Sequence, residues 1–303
     1  MTKRKTFTEK ERELICSMYQ QGHTATQICK IVQSLNDRKP QTLYPVLIKA
    51  GLYKKKPAND LRKYIVDDNY FDSIDTEHKA YWLGFLIADG FLTNSGHAKE
   101  TFGISLKSTD GYILNMFKQD LKSNYPIHEY TQRCIINNSV HHTTYNRLLI
   151  KSKKIFYRLK ELGLNEIKSY TAKLPLSNIP TDLTHHLIRG YFDGDGSFAK
   201  SGEKKYHTYD MKFTGTYEVI IAIRSYFNKD NLKLQQRYPN RDNNNYSLNI
   251  CGNKQVYNLG KLLYKDATIY LQRKHERFLE LQKNMNKISR PHRNVRDNEL
   301  LNL

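Results

Sequence analysis

The chain has 303 residues and a formal net charge of +19, because 49 Lys and Arg outnumber 30 Asp and Glu. This excess predicts a polyanionic partner, first of all nucleic acid, and 22 Tyr and 12 Phe exclude a disordered basic tail. No apolar run approaches the roughly 20 residues of a membrane span. The N-terminus lacks the apolar core of a signal peptide, and the four cysteines lack zinc or redox spacing, so we expect a cytoplasmic protein.

Residues 1–56 are predicted to form a small helical unit. Thr8 and Thr24 each stand three residues before a Glu or Gln, which is the spacing of a capping box at a helix start. A third apolar segment follows, although Pro45 within it disfavours a regular helix. Three short helices with basic flanks resemble a helix-turn-helix DNA-binding module. The alternative is a small helical bundle with a solvated basic face.

Beyond a lead-in at 57–74, the chain repeats itself. Asp89-Gly90 in one segment matches Asp195-Gly196 in another, and further matches follow at similar spacing. An internal repeat of this kind predicts two copies of one structural unit. The predicted boundaries are 75–175 for the first copy, 176–285 for the second, and 286–303 for a basic tail.

Each copy is predicted to contain the element order αββαββα. In the first copy, helices are expected at 76–88, 110–121 and 154–162, and strands near 91, 101–107, 130–136 and 145–150. In the second copy, helices are expected at 184–194, 217–227, 254–264 and finally 268–285, and strands at 209–214, 234–238 and 246–250. The predicted fold class is therefore α+β, with two pseudo-symmetric repeats behind a small all-α unit. We expect a monomer with internal pseudo-two-fold symmetry.

Small residues recur in the first helix of each copy. Gly84 and Ala88 are four residues apart, as are Gly190 and Gly194, so each pair lies on one helical face. Bulkier side chains would hold two helix axes about 8–10 Å apart. These faces therefore predict that the two helices pack together closely.

Each of these helices is predicted to end in an aspartate followed by a glycine. We expect Gly90 and Gly196 to adopt positive φ and turn the chain out of the helix. Close packing would bring Asp89 and Asp195 together, where two carboxylates and two helix C-termini repel one another. A divalent cation relieves this repulsion, and carboxylate, water and phosphate oxygens suit Mg²⁺. Such an ion can clamp a phosphate and activate water for hydrolysis.

Both segments resemble the LAGLIDADG motif of homing endonucleases, in its two-copy, single-chain form. The matching residues are 83–90 (LGFLIADG) and 190–198 (GYFDGDGSF). Residues 263–268 and the pair Arg273-Lys274 are also similar to the end of the second repeat in that family. The resemblance covers about residues 75–285.

The resemblance implies a site-specific endonuclease that hydrolyses both strands of double-stranded DNA with Mg²⁺ or Mn²⁺. It implies that Asp89 and Asp195 bind the metal, and that the strands form a saddle in the major groove, where base contacts select the sequence. It also implies a catalytic basic residue near the start of the helix after the fourth strand. Lys154 and Lys254 coincide there when the copies are superposed, with Lys153 as the neighbouring option. The candidate DNA-binding residues of the saddle are Lys99, Ser105, Lys107, Arg133, Arg147, Lys205, Lys212, Arg237 and Arg241.

The two half-sites are predicted to be chemically unequal. The family often has a polar residue on the second strand that contacts the attacking water, yet Gly103 stands there in copy one and Lys212 in copy two. Strand-biased nicking would follow from this difference. The sixth motif position also differs, being Ile87 in one copy and Asp193 in the other. We expect Asp193 to point outward from the helix pair.

Two other functions stay open at this point. A catalytically idle relative could act as a sequence-specific DNA-binding regulator or as an RNA maturase. Retention of both aspartates favours cleavage over a regulator, which has no need of them, but a maturase could keep them. A basic structural DNA-binding protein would leave the paired glycine-rich motifs unexplained.

Overall fold

A computed structural model describes residues 6–54, 62–136, 139–166, 168–202, 207–227, 234–237 and 244–288. Its internal contacts divide the chain into two units, which meet in sequence between Lys63 and Tyr64. No helix in the described ranges is both long and apolar enough to cross a membrane. All four cysteines are free thiols.

The first unit contains three helices: α1 (Glu9–Gln20), α2 (Ala25–Ile31) and α3 (Tyr44–Lys49). Both predicted capping boxes are confirmed, because the hydroxyls of Thr8 and Thr24 each accept a hydrogen bond from the N–H three residues on. Pro45 lies in the first turn of α3, where its missing N–H breaks no helical hydrogen bond. Pro45 therefore does not interrupt α3.

The three helices pack around a small apolar core of their own. Ile15, Ile28 and Leu47 are completely buried, and each comes from a different helix. Residues 32–43, which contain two short 3₁₀ turns, join α2 to α3. This connection is longer than the three- to four-residue turn of a helix-turn-helix. The helix-turn-helix assignment stays a prediction.

The second unit contains the two predicted copies. The first comprises α4 (Glu77–Asp89), β1 (Gly90–Thr93), β2 (Thr101–Lys107), α5 (Ile113–Asp120), β3 (Ile127–Ile136), β4 (Ser139–Lys151) and α6 (Lys153–Glu161). One helical turn, α7 (Lys168–Thr171), leads into the second. The second comprises α8 (Thr184–Asp195), β5 (Ser197–Ser201), β6 (Thr208–Gly215), α9 (Tyr217–Tyr226), β7 (Leu234–Gln236), β8 (Tyr246–Cys251), α10 (Asn253–Leu263) and α11 (Gln272–Ile288).

Each copy forms a four-stranded antiparallel sheet, and the two sheets have the same strand order. The orders are β1-β2-β4-β3 and β5-β6-β8-β7. The registers also correspond, because Phe91 pairs with Gly103 in one sheet and Ser197 pairs with Lys212 in the other. The predicted α+β fold with two αββαββα repeats is therefore confirmed.

Some element bounds differ from the sequence-based expectation. Strand β4 begins at Ser139 instead of 145, because its polar first half pairs with β3 as a two-stranded ribbon beyond β2. Helix α11 begins at Gln272 instead of 268. The carboxylate of Glu77 accepts hydrogen bonds from Thr268 N–H and from Ile269 N–H, which holds this stretch outside the helix.

Helices α4 and α8 form the centre of the second unit. Every residue of α4 from Ala80 to Ala88 is buried, which is why this helix is apolar on all sides. The two helices cross with their backbones in contact. A Cβ atom on Gly84 would lie 1.9 Å from the Leu187 carbonyl oxygen, and one on Gly190 would lie 1.9 Å from the Tyr81 carbonyl oxygen. No side chain fits at either position.

A buried ion pair joins the same two helices near the start of α4. Arg189 is completely buried and donates from Nη2 to Glu77 Oε1 at 2.6 Å. Its other nitrogens donate to the carbonyl oxygens of Ile269 and Leu263. A buried guanidinium is tolerated only when its donors are satisfied. This arginine therefore ties α8 to α4 and to the segment before α11.

We expect Gly190→Ala to destabilise the protein by about 3 kcal/mol or more, because the added methyl group meets helix backbone that cannot rotate away. Gly260→Ala is the comparison, since the three atoms nearest to its methyl group belong to the Phe278 side chain, the closest at 2.4 Å, and not to the backbone of another helix. Urea unfolding of both variants measures the difference. A Gly190→Ala protein as stable as the Gly260→Ala protein would contradict the close packing.

Candidate active site at the ends of the paired helices

The structure brings Asp89 and Asp195 to the same end of the helix pair. Each is the last residue of its helix, α4 or α8. A Cβ atom on Gly194 would meet Ala88 Cβ at 2.4 Å and the carboxyl carbon of Asp89 at 3.4 Å, so Asp89 lies against the residue that precedes Asp195. The small residues at 88 and 194 thus let the two carboxylates approach.

Tyr191 lies next to both carboxylates. Burial raises the pKa of its phenol, and the charges of Asp195 and Asp89 raise it further. The phenol is therefore a neutral donor, and it donates to the Thr214 carbonyl oxygen at 2.8 Å. This contact joins α8 to β6 directly beside Asp195.

A cleft of about 230 Å³ opens beside Asp195. Helix α4, helix α8 and the end of β6 line it, together with Asn244 and Asn245. The side-chain oxygen of Asn245 is buried and accepts no hydrogen bond from the described part of the chain. The cleft therefore offers carboxylate and amide oxygens to a polar ligand or a cation.

The glycines after the two aspartates do not have the expected conformation. Gly90 has φ −70° and Gly196 has φ −91°, so the predicted positive φ is wrong at both. A side chain at either position would clash with the preceding helix of the same copy, which explains why both residues are glycine. A Cβ on Gly90 would lie 2.6 Å from the Leu86 carbonyl oxygen, and one on Gly196 would lie 2.2 Å from the Phe192 ring.

Lys274 is a site residue that the sequence analysis did not select. It lies on α11 and only 2% of its surface is exposed. Its ammonium donates to the carbonyl oxygens of Phe192 at 2.5 Å, Asp193 at 2.8 Å and Gly196 at 2.7 Å. All three donors are thereby satisfied. The positive charge caps the C-terminus of α8, which carries Asp195.

Burial lowers the pKa of Lys274 to about 8, while the charges of Asp193 and Asp89 act in the opposite direction. The sequence contained one signal for this lysine, since Arg273-Lys274 is part of the family resemblance. Its burial beneath the motif helix could not be read from a helix whose other residues are mostly polar.

Asp193 does not point outward as expected. It is 1% exposed, and its Oδ2 accepts hydrogen bonds from the Tyr81 hydroxyl at 2.9 Å and from Leu271 N–H at 2.8 Å. Burial raises the pKa of this carboxyl group. Asp193 therefore holds α4 and the start of α11 against α8, and so fixes the helix that carries Lys274.

Lys154 lies in the first turn of α6 and is engaged elsewhere. Its ammonium donates to Asn69 Oδ1 at 2.6 Å and to Asp72 Oδ2 at 2.5 Å. These partners lie in the segment before α4, the helix that Asp89 ends. Lys254 is exposed near the start of α10. The catalytic role of both lysines stays a prediction.

The predicted DNA-binding residues lie on several surfaces. Strand alternation places one set on the sheet face opposite the helices, and we call this the outer face. It contains Ser105, Lys107, Arg147, Lys212 and Arg237. Lys99 is exposed in the connection between β1 and β2. Arg133 lies on the face of the β3–β4 ribbon opposite to that of Arg147. Lys205 and Arg241 lie outside the described residues.

Arg147 is held in a fixed position on the outer face of copy one. Its Nη2 donates to the Tyr130 hydroxyl at 3.0 Å, and its guanidinium lies 4.6 Å from the centre of the Tyr130 ring. The same hydroxyl contacts Ser105 at 2.8 Å. These contacts reduce the conformational entropy that this arginine would lose on binding a ligand.

The outer face differs between the copies in the row of strand residues that begins two positions after each aspartate. In copy one, the row across the strands is Phe91, Gly103 and Leu149, which has no polar side chain. The equivalent row in copy two is Ser197, Lys212 and Asn249. This row of the outer face is therefore apolar in copy one and polar in copy two.

The donor set suits a hard divalent cation. Asp89 and Asp195 supply carboxylate oxygens at one end of the helix pair, and no third His, Cys, Asp or Glu joins them within the described ranges. Mg²⁺ commonly binds through one or two carboxylates and completes its shell with water and substrate phosphates. The residues present therefore fit such an ion.

Neither a family model nor a curated protein matches the sequence. Three solved structures show a limited similarity to this chain. The I-LtrWI LAGLIDADG homing endonuclease bound to target DNA has 14% identity and a TM-score of 0.45, covering 73% of this chain and 92% of its own. LAGLIDADG homing endonuclease I-GzeII, in complex with its DNA target, has 13% identity and a TM-score of 0.46, covering 69% and 90%. LAGLIDADG meganuclease I-CpaMI, bound to uncleaved DNA, has 15% identity and a TM-score of 0.46, covering 69% and 93%. All three carry the family name that the two sequence motifs indicated.

Proposed function

We propose that this protein is a site-specific endonuclease that hydrolyses phosphodiester bonds of double-stranded DNA with a divalent metal ion. One observation carries the proposal: Asp89 and Asp195 lie at the same end of two closely packed helices in a protein of net charge +19. Carboxylates converging in a basic protein are suited to hold a cation against a phosphate.

Asp89 and Asp195 would hold Mg²⁺ or Mn²⁺, which would supply Lewis-acid stabilisation of the phosphate and lower the pKa of bound water. The cleft beside Asp195 offers Asn245 as a further polar group for water or for a phosphate oxygen. The outer faces of the two sheets would contact the duplex, with Arg147 and Lys212 among their basic residues.

Lys274 would act electrostatically at the same end of α8. Its ammonium is fixed by three carbonyl oxygens and lies close enough to Asp89 for the two charges to interact. A preorganised positive charge stabilises the charge that develops on a phosphate in the transition state. We therefore propose Lys274 as an electrostatic positioning residue of this site, in addition to Lys154 and Lys254, which the sequence suggested as catalytic groups.

We expect Asp89→Asn and Asp195→Asn each to slow double-strand cleavage by roughly 100-fold or more, because the loss of a charged ligand removes several kcal/mol of transition-state stabilisation. The substrate is a DNA library with randomised sites, from which the wild-type protein selects cleaved sequences in Mg²⁺. DNA binding should persist in both variants, and chelation should stop cleavage by the wild-type protein.

Undiminished cleavage in both variants would overturn the assignment of these aspartates. Cleavage after chelation would remove the metal from the proposal. If the wild-type protein binds particular sequences of the library and cuts none of them, a catalytically idle regulator is the favoured function. Splicing of a structured RNA by the wild-type protein would favour a maturase.

We expect Lys274→Met to lower cleavage about 100-fold while DNA binding is retained, because it removes a fixed positive charge from the end of α8. Thermal unfolding must accompany the assay, since Met leaves three carbonyl oxygens without their donor. Lys154→Gln and Lys254→Gln are compared under the same conditions. A large loss in Lys254→Gln together with full activity in Lys274→Met would restore the assignment made from sequence.

We expect the two strands to be cut at different rates. The polar row of Ser197, Lys212 and Asn249 can orient water beside Asp195, whereas the apolar row near Asp89 cannot. A supercoiled plasmid carrying the selected site should therefore accumulate as a nicked circle. Lys212→Ala should slow the first cut, and Lys107→Ala, which removes the same charge from copy one, should leave the order of cuts unchanged. Equal rates on both strands would contradict this asymmetry.

A further inference from the structure

The N-terminal unit contains an open cleft of about 700 Å³ that is separate from the carboxylate site. The chain before α1, helix α1, the connection before α3 and α3 itself form its walls. Its lining combines basic and apolar side chains, the main ones being Phe7, Arg12, Arg38, Lys39, Val46 and Lys49. We call it the N-terminal cleft.

The charge of this unit is concentrated at the cleft. Residues 6–54 include seven Lys and Arg and four Asp and Glu. Four of the seven basic residues line the cleft, and none of the four acidic residues does. An adjoining depression is lined by Glu9 and Glu13 as well as by Arg12 and Lys49, so the acidic side chains border one edge. Such an arrangement favours an anion within the cleft.

Two of the cleft's cations are fixed by Phe7. The Arg12 Nε donates to the Phe7 carbonyl oxygen at 3.2 Å. The Arg38 guanidinium lies 4.6 Å from the centre of the Phe7 ring, which is a cation–π contact. Phe7, which precedes the N-cap residue of α1, therefore holds Arg12 and Arg38 in place before any ligand binds.

The other two cations are available to a ligand. Lys39 and Lys49 are exposed, and neither ammonium makes a hydrogen bond or an ion pair within the described part of the chain. Val46 and Pro45 form an apolar floor between the basic groups. A phosphate needs the cations, and the sugar attached to it can pack against the apolar floor.

We propose that the N-terminal cleft binds the sugar-phosphate backbone of duplex DNA, as a second contact in addition to the outer faces of the sheets. The identity of the polyanion rests on the proposed function, whereas the cleft's preference for a phosphate chain rests on its own lining. Contacts of this kind position a protein on DNA without reading sequence. The cleft would therefore strengthen binding to any duplex.

The test is the salt dependence of DNA binding by the full-length protein. Fluorescence anisotropy with a labelled duplex of arbitrary sequence is measured over a series of KCl concentrations, without divalent metal. Each phosphate contact contributes roughly 0.9 to the slope of log K against log [salt]. We expect Lys39→Gln/Lys49→Gln to bind more weakly and to reduce the slope by about 1.8.

Lys10→Gln/Lys30→Gln is the matched control. It removes the same charge from exposed positions of the same unit, and neither residue lines the cleft. This variant should keep the wild-type slope. Circular dichroism of both variants checks that the helices and the thermal midpoint are retained, and none of the four substituted side chains lies in the core.

Equal loss of slope in both variants would overturn the proposal, because only the general charge would then matter. An unchanged slope in both would also overturn it, and would favour an acidic protein segment as the occupant of the cleft. Because the assay uses neither metal nor a cleavable site, its outcome is independent of the proposed nuclease activity. A reduced slope with no cleavage by the wild-type protein would retain the cleft and reject the nuclease.

Discussion

The contact between α4 and α8 is the constraint on which the rest of the structure depends. Gly84 and Gly190 leave no room for a methyl group against the opposite backbone, so the two helices meet directly. This contact places Asp89 and Asp195 at one end and orients the two sheets around a shared core. A larger residue at either glycine would separate the carboxylates as well as the helices, so stability and the candidate site depend on the same packing.

Buried polar groups fix the helix pair where apolar packing alone would leave its position unspecified. At one end, Arg189 joins Glu77 and two carbonyl oxygens. At the other, Lys274 caps α8, and Asp193 connects that helix to Tyr81 of α4. Each group would be costly to bury without its partners. Their hydrogen bonds specify one arrangement of α4, α8 and α11, and they place an ammonium group beside the candidate metal ligands.

The two copies share a topology but differ in chemistry. Equivalent strand positions hold Gly103 in one copy and Lys212 in the other, and equivalent motif positions hold Ile87 and Asp193. Copy one carries the long β3–β4 ribbon and the ordered Arg147. Each sheet therefore presents its own set of side chains. Pseudo-symmetry supplies the paired carboxylates, and divergence gives the two copies different surface chemistry.

The sequence by itself determined the repeat, the order of helices and strands along each copy, both capping boxes and the paired motif. These features follow from local spacing, since glycines and apolar residues at fixed intervals specify helices, turns and buried faces. Only the tertiary structure decided that Lys274 caps the end of α8, because α11 must fold back onto α8 to bring its ammonium to the carbonyl oxygens of Phe192 and Gly196. The burial of Asp193 and the negative φ of Gly90 were likewise set by neighbours distant in sequence or by space within a formed helix. Local patterns encode which elements form, whereas the partners of a polar side chain depend on how those elements pack.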